Sequence, residues 1–315
     1  MADVALLDSR QMASFVARGF LRFDAVVPDE VNRQFLDEAG RAPDATGEKL
    51  MKAYRRLLAE SGIPAVAPGI PLARAYPSGS AIARLLALPT VAGAVQSLVG
   101  PDPIFDHHFL HITFPPEFYR RTGQPNVSQH THQDSTIDTR RAFDIQIMYF
   151  PHAVTPEMGG TRYVPGSHLR IVSEAAIGRY QNIRGQEHVV CPAGTVLILH
   201  HGIWHGGGVN RSAQLRYMFK IRINPRVPQI RLWDTRDLAS DETQAPIFFV
   251  KEARAADGVH ATLMRPEPWF EADTGRLELI NRIRLWRRLL GDDGFDVDYW
   301  LTRLENEPDA TALED

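Results

Sequence analysis

The stretch SQHTHQDST, Ser128 to Thr136, sets three potential metal ligands, His130, His132 and Asp134, two positions apart. In an extended strand, side chains at i, i+2 and i+4 project from one face, so alternation alone leaves open which of them act together. At a rise of roughly 3.3 Å per residue, His130 and Asp134 start about 13 Å apart, too far to share one ion comfortably, whereas neighbours at i and i+2 are within reach. Two pairs remain, His130 with His132 or His132 with Asp134, and either needs a further ligand from elsewhere. The best supply is LILHHGIWHGGGVNRS, an apolar strand entering a glycine-rich turn with His200, His201 and His205. Two histidines and one carboxylate on one face of an octahedron suit Fe(II) and leave the opposite positions open for chemistry.

The elements that must position these residues are legible in the hydrophobic pattern. From Ser9 to about Gly100 the spacing is mainly helical: PDEVNRQFLDEAG puts Pro28 at a first turn, acids early, and Val31, Phe35 and Leu36 at helical intervals, and LPTVAGAVQSLVG stops at Gly100. Between Ile104 and Pro225 the texture changes to short apolar runs between Gly/Pro turns, namely IFDHHFLHITF, FDIQIMYF, TRYVP, HVVCPAGTVLILHHG and LRYMFKIRINP. Many short strands in succession predict a sandwich or jelly roll. After Pro228 helical spacing returns in ELINRIRLWRRLLG and DVDYWLTRLEN. The reading is one unit over 1–315, mainly β (α+β): a helical part at about 1–100, a jelly-roll core at about 101–226 and a helical part at about 227–315.

Composition narrows the partners. A hydrophobic fraction of 44% with 23% charged residues is that of a globular chain able to bury a core. A net charge of -3 without runs of like charge offers nothing to nucleic acid or anionic lipid, so neither is expected as a partner. MADVALLDSRQ lacks a basic start followed by an apolar run, and no stretch approaches the roughly 18 apolar residues that span a bilayer. Cys191 is the only cysteine, which rules out an intramolecular disulfide and fits a reducing, cytoplasmic setting.

Three motifs together carry a resemblance. HQD at His132 to Asp134, GGTRYVPGSH at Gly159 to His168, and WHGGGVNRS followed by Arg216 look like the phytanoyl-CoA dioxygenase family of Fe(II)/2-oxoglutarate oxygenases, over about Gln129 to Ile223. The resemblance implies a double-stranded β-helix, with His132, Asp134 and His205 as iron ligands and Arg216, eleven residues after His205, gripping the far carboxylate of 2-oxoglutarate. Arginine suits that role because its planar fork pairs bidentately with a carboxylate. In the branch that tailors natural products, a Gln three before the first ligand and the Thr of GGT also contact the cosubstrate, and Gln129 and Thr161 match. Two departures stand out. Gly207 occupies a position, two after the distal histidine, where several members carry a hydroxyl, and no lysine occurs in the HITFP region, where His111 or Thr113 is expected to line the pocket instead.

What the resemblance implies is an enzyme that couples decarboxylation of 2-oxoglutarate to succinate, using dioxygen, with hydroxylation of a small organic substrate. Desaturation, epoxidation or rearrangement start from the same site. Related halogenases replace the carboxylate ligand with a small residue, so Asp134 argues against halogenation. The expected substrate is a secondary metabolite, moderately hydrophobic or amino-acid-like, and no basic cluster for a coenzyme A thioester is evident. Two other readings of the sequence are a cupin-type metal enzyme built on His130 and His132, and a non-catalytic small-molecule sensor of the same fold. The cupin pattern wants a glutamate three or four residues after HxH, where Thr136 and Ile137 stand. Isolated histidines, including His107, His108, His168, His200 and His201, are expected to be structural. Arg140 and Arg141 fit a solvated turn as well as an acidic substrate, and the chain is expected to be a monomer or homodimer.

Overall fold

The computed structural model describes residues 4–40, 50–134, 144–169, 177–178, 182–226, 233–234 and 236–237. Arg140, Arg141, Trp269 and the two helical segments expected near the C-terminus lie outside them. Helix α1 (Ser9–Arg18) opens with a capping box, in which Asp8 accepts from the Gln11 backbone while the Gln11 side chain accepts from the Asp8 N–H, and closes at Gly19 in the left-handed conformation (φ 79°). Then follow β1 (Phe20–Phe23), α2 (Asp29–Ala39), α3 (Leu50–Glu60), α4 (Ala81–Leu86) and α5 (Pro89–Val99). Pro28 sits one position before α2, as its N-cap, and Gly100 ends α5. The strand-rich part comprises β2 (Ile104–Thr113), β3 (Ile145–Phe150), β4 (Thr161–Tyr163), β5 (Glu187–His188), β6 (Thr195–His200), β7 (His205–Gly207) and β8 (Arg216–Asn224), with a short helical insertion, α6 (Pro116–Thr122), after β2.

The strands form two antiparallel sheets, one ordered β1-β6-β3-β8-β2 and the other β5-β4-β7. A single bridge between His132 and His205 extends the smaller sheet beside β7. From β5 to β8 successive strands alternate between the two sheets, and the pair of facing antiparallel sheets is the jelly-roll arrangement expected from the sequence. The region expected to be mainly helical also contributes one strand, since β1 pairs with β6 from Phe20↔Leu199 to Phe23↔Val196.

Every residue of β3 is buried, because its sheet is covered on both faces. Alternation divides them. Ile145, Ile147 and Tyr149, with Val196, Ile198, Phe219, Ile221 and Ile223, pack in one cluster with the helical residues Phe15, Phe35, Ile82 and Leu98. Met148 and Phe150, with Leu197, Leu199 and Met218, face the smaller sheet and meet Met158, Tyr163 and Ile203. Burying each such side chain stabilises by roughly 1.5–3 kcal/mol, so the helical layer anchors the outer face and fixes the inner one. Phe35 anchors that contact, edge-on to both Tyr149 and Phe219. The Tyr149 hydroxyl donates to Asn32 Oδ1 at 2.6 Å, so its polar tip is satisfied within the layer. Among the described residues, no helix is long and apolar enough to cross a membrane.

Candidate metal centre and adjoining pocket

The segment 128–136 is not a continuous strand in its described part; only His132 makes a ladder contact, exchanging backbone hydrogen bonds with His205 at 2.9 and 2.8 Å. That exchange places the two histidines side by side, with ring centroids 4.5 Å apart. Asp134 follows and turns its carboxylate toward both: Oδ1 lies 3.5 Å from His132 Nε2 and Oδ2 3.5 Å from His205 Nε2. One ligand atom from each of His132, Asp134 and His205 lies within 4.8 Å of the others, close enough to hold one metal ion. His130 is exposed and stands outside this group. Of the two pairs left open by spacing, the structure groups His132 with Asp134 and places His130 outside.

Both histidines are oriented from behind. His132 Nδ1 lies 3.0 Å from the His130 carbonyl and His205 Nδ1 3.0 Å from that of Ile203, so each Nδ1–H donates to backbone and leaves the Nε2 lone pair facing Asp134. His130 thus supports the site through its carbonyl. Gly206, between the strands, admits no side chain, because a Cβ there would sit 2.8 Å from that same carbonyl.

The electrostatics match a cation site. Burial opposes the Asp134 charge, but His205, His132 and Lys220 together hold its carboxyl well below the usual range. For His132, burial works against protonation, yet the Asp134 carboxylate and the His130 carbonyl outweigh it and raise the value. Burial pushes His205 down to about 4, which keeps its ring neutral and ready to ligate.

A cavity opens from these residues between the two sheets, lined on one side by His111, Thr113, Met148, Arg216, Met218 and Lys220. Gln129, Thr161, His205, Gly207 and Tyr119 line it as well. Arg216 is buried at the start of β8, where Nη2 donates to Thr113 Oγ1 at 2.7 Å and Nη1 to the Met158 carbonyl at 3.4 Å. Among the described residues no acidic side chain pairs with it, and burial lowers its pKa to about 10. Gln129 is held three ways: its N–H donates to Gly207 O, its Oε1 accepts from Gly207 N, and its carbonyl accepts from Arg162. Thr161 is buried on β4 directly opposite Gly207. The six site residues read from the sequence are thereby brought to one cavity, as are both His111 and Thr113.

Sequence reasoning missed Lys220, whose ammonium lies 2.9 Å from Asp134 Oδ2. The signal was present: it stands four after Arg216, on the same strand face, and is one of only four lysines against 35 − 4 = 31 arginines. Lys220 stands directly across from Phe109 of the neighbouring strand β2. Two of the histidines expected to be structural make packing hydrogen bonds: His168 Nε2 meets the Val16 carbonyl at 2.9 Å, and His108 Nδ1 the Tyr76 hydroxyl at 2.9 Å. The aromatic segment after β2 is α6, whose Phe118 stacks on Phe114 while Tyr119 reaches the cavity. Trp233 is buried and donates to Ser9 Oγ, a packing role.

Comparison with known proteins gives one family match, to the family described as Phytanoyl-CoA dioxygenase (PhyH), over residues 15–218. Uncharacterized proteins of Mycobacterium tuberculosis and Mycobacterium bovis are each 30% identical over 196 residues, 58% of this chain, and the match spans 65% of the length of those relatives. Among solved structures, the epimerase SnoN in complex with Fe3+, alpha ketoglutarate and nogalamycin RO is 19% identical with a TM-score of 0.47, covering 69% of this chain and 82% of that one. HygX from Streptomyces hygroscopicus, with nickel and 2-oxoglutarate bound, is 16% identical with a TM-score of 0.44, covering 70% and 88%.

Proposed function

The chain belongs to the phytanoyl-CoA dioxygenase family, and on that premise we propose that it is a non-haem Fe(II)/2-oxoglutarate-dependent oxygenase acting on a small organic molecule of secondary metabolism. His132, Asp134 and His205 hold the iron; Arg216, Gln129 and Thr161 hold 2-oxoglutarate. The observation that carries the reading is a group of three side chains able to hold one metal ion, sharing one cavity with a buried arginine that has no acidic partner among the described residues.

The donor set fits the ion: two neutral imidazoles and one carboxylate are the set that suits Fe(II) and leaves positions open. When bound, iron and 2-oxoglutarate supply the oxidising chemistry, with dioxygen as the other reactant, and succinate and carbon dioxide as products. The protein supplies orientation. Arg216 offers a charged fork to the distal carboxylate, with Thr113 Oγ1 fixing one arm of it. Lys220 holds one Asp134 oxygen, which steadies the carboxylate facing the two histidines. Met148 and Met218 give the cavity an apolar wall on the large-sheet side, the kind of surface that limits water where an oxidant would otherwise be wasted. Hydroxylation is the default outcome, with desaturation, epoxidation and rearrangement differing only in how the substrate is placed. Exposure of His130, away from the three ligands, disfavours the cupin-type pair.

The test is succinate formation from 2-oxoglutarate by purified protein, with and without Fe(II), in the wild type and in Asp134→Ala. Iron-dependent succinate that vanishes in the variant supports the reading. Equal rates in both proteins, or none in either with iron bound, contradict it.

A further inference from the structure

Along the inner face of β8 the order is Arg216, Met218, Lys220, Arg222. Arg216 marks the cosubstrate end, and Lys220, 2.9 Å from Asp134, marks the level of the metal group. Past that level, away from Arg216, Arg222 is opposite Gln146 of β3, and Gln146 is opposite Leu199 of β6. Gln146 is fully buried, and neither its amide nitrogen nor its oxygen has a hydrogen-bond partner. His201, just after β6, is 2% exposed, and neither ring nitrogen has a partner. Its backbone N–H donates to the Asp144 carbonyl at 2.9 Å, and Asp144 pairs with Arg222, which places His201 at this same end. The surroundings do not demand polarity, since Met148, Leu197 and Leu199 share the inner face. Nor does Arg222 absorb it: that guanidinium is paired with Asp106 at 2.9 Å and Asp144 at 2.8 Å.

Two buried side chains with four unmet polar atoms would be replaced by leucine or methionine at a gain in stability, unless a ligand meets them. We propose that this end of the barrel, with Gln146 and His201 beside Lys220, is the substrate site, and that it takes a hydroxyl-rich small molecule such as a sugar or cyclitol. This rests on the oxygenase reading above and departs from the moderately hydrophobic substrate expected from sequence. The chemistry follows from the donors and acceptors. The amide offers both, a neutral imidazole offers one of each, and a hydroxyl group is the partner that answers both at once. Lys220 adds ammonium protons beyond the one given to Asp134. An alkyl or acyl chain would leave every one of these groups unmet, and selection against it follows from the same desolvation.

The experiment uses the full chain, as wild type, Gln146→Met, His201→Leu and the double variant. Melting temperature is measured without ligand, and again with Ni(II), 2-oxoglutarate and millimolar methyl α-D-glucopyranoside or hexanamide. The proposal expects each single variant to melt a few degrees higher than wild type and the double variant higher still. It expects the glycoside to raise the wild-type melting temperature but not that of the double variant, and hexanamide to raise neither. Lower melting of both single variants overturns it, because the polar atoms then serve the fold. A shift from hexanamide alone, from the glycoside equally in both proteins, or from neither probe overturns the hydroxyl-rich assignment. The absorption band of Fe(II)-bound 2-oxoglutarate, read on the same proteins, separates the two levels: its formation in all four together with reduced melting of the variants sinks the substrate site while the oxygenase reading stands.

Discussion

Replacing Arg216 with methionine removes the guanidinium and keeps an unbranched side chain that can fill much of the same space. In the unliganded protein the charge has only neutral partners, Thr113 Oγ1 at 2.7 Å and the Met158 carbonyl at 3.4 Å, and burial lowers its pKa from 12.5 to about 10. At about 1.4 kcal/mol for each tenfold change, that depression puts the cost of the uncompensated charge at about 3–3.5 kcal/mol. The arginine is charged at neutral pH in folded and unfolded chains alike, since pH 7 lies below both values, so the whole cost is present there. Loss of the two hydrogen bonds offsets it by roughly 1–2 kcal/mol, the longer one counting least. The net expectation is a protein more stable by about 1–2 kcal/mol, a rise of roughly 2–4 °C in melting temperature. Binding of 2-oxoglutarate should move the opposite way, because a bidentate charge-assisted pair worth about 3–4 kcal/mol is gone, weakening affinity by roughly 10²–10³-fold. Thermal melting without ligand and calorimetric titration of 2-oxoglutarate into Ni(II)-loaded protein read the two effects. A variant that melts earlier yet binds 2-oxoglutarate as the wild type does would refute the reasoning, and Arg216 would be a structural residue.

Gly207→Ser should fit without strain, since a Cβ there meets Arg216 Nη2 at 3.5 Å and Gln129 Oε1 at 3.6 Å, ordinary contacts; the added hydroxyl is expected to lower the KM for 2-oxoglutarate severalfold, and a raised KM would show the glycine to be required. His130→Ala should leave metal affinity within about threefold of wild type, because the backbone carbonyl rather than the ring orients His132, whereas His132→Ala should abolish tight binding; titration with Co(II) compares them. His168 is fully buried and pushed down to about 4, so its neutral form stabilises the fold above its ordinary value near 6.5, and that contribution, about 3 kcal/mol, is lost as pH falls from about 6.5 toward 4. Denaturant melts across that range should show His168→Gln losing less stability on acidification than wild type; parallel curves would assign the acid limb to other buried histidines such as His201 and His205.

The large sheet was legible because β2, β3, β6 and β8 are long apolar runs whose burial dictates strand, and Gly100 marked the end of α5 through backbone freedom alone. β1 was not legible: FLRF is four residues long, follows directly on a capped helix, and becomes a strand only because β6 offers it an edge. Within the site, spacing narrowed the ligands to two pairs, and the resemblance chose between them. The reason for the choice is visible only in three dimensions, where a single bridge from His132 to His205 turns Asp134 inward and leaves His130 outside. Lys220 and Gln146 escaped notice for a related reason. On strands buried on both faces, a polar residue in an apolar run shows which face it occupies, but not what stands across from it.

The most direct test is anaerobic addition of Fe(II) and 2-oxoglutarate to the purified protein, followed by visible absorption, with Asp134→Ala and Arg216→Met alongside. The account predicts a charge-transfer band in the wild type, none in the aspartate variant, and in the arginine variant a band that appears only at far higher 2-oxoglutarate. Iron bound by the wild type without any such band would contradict it.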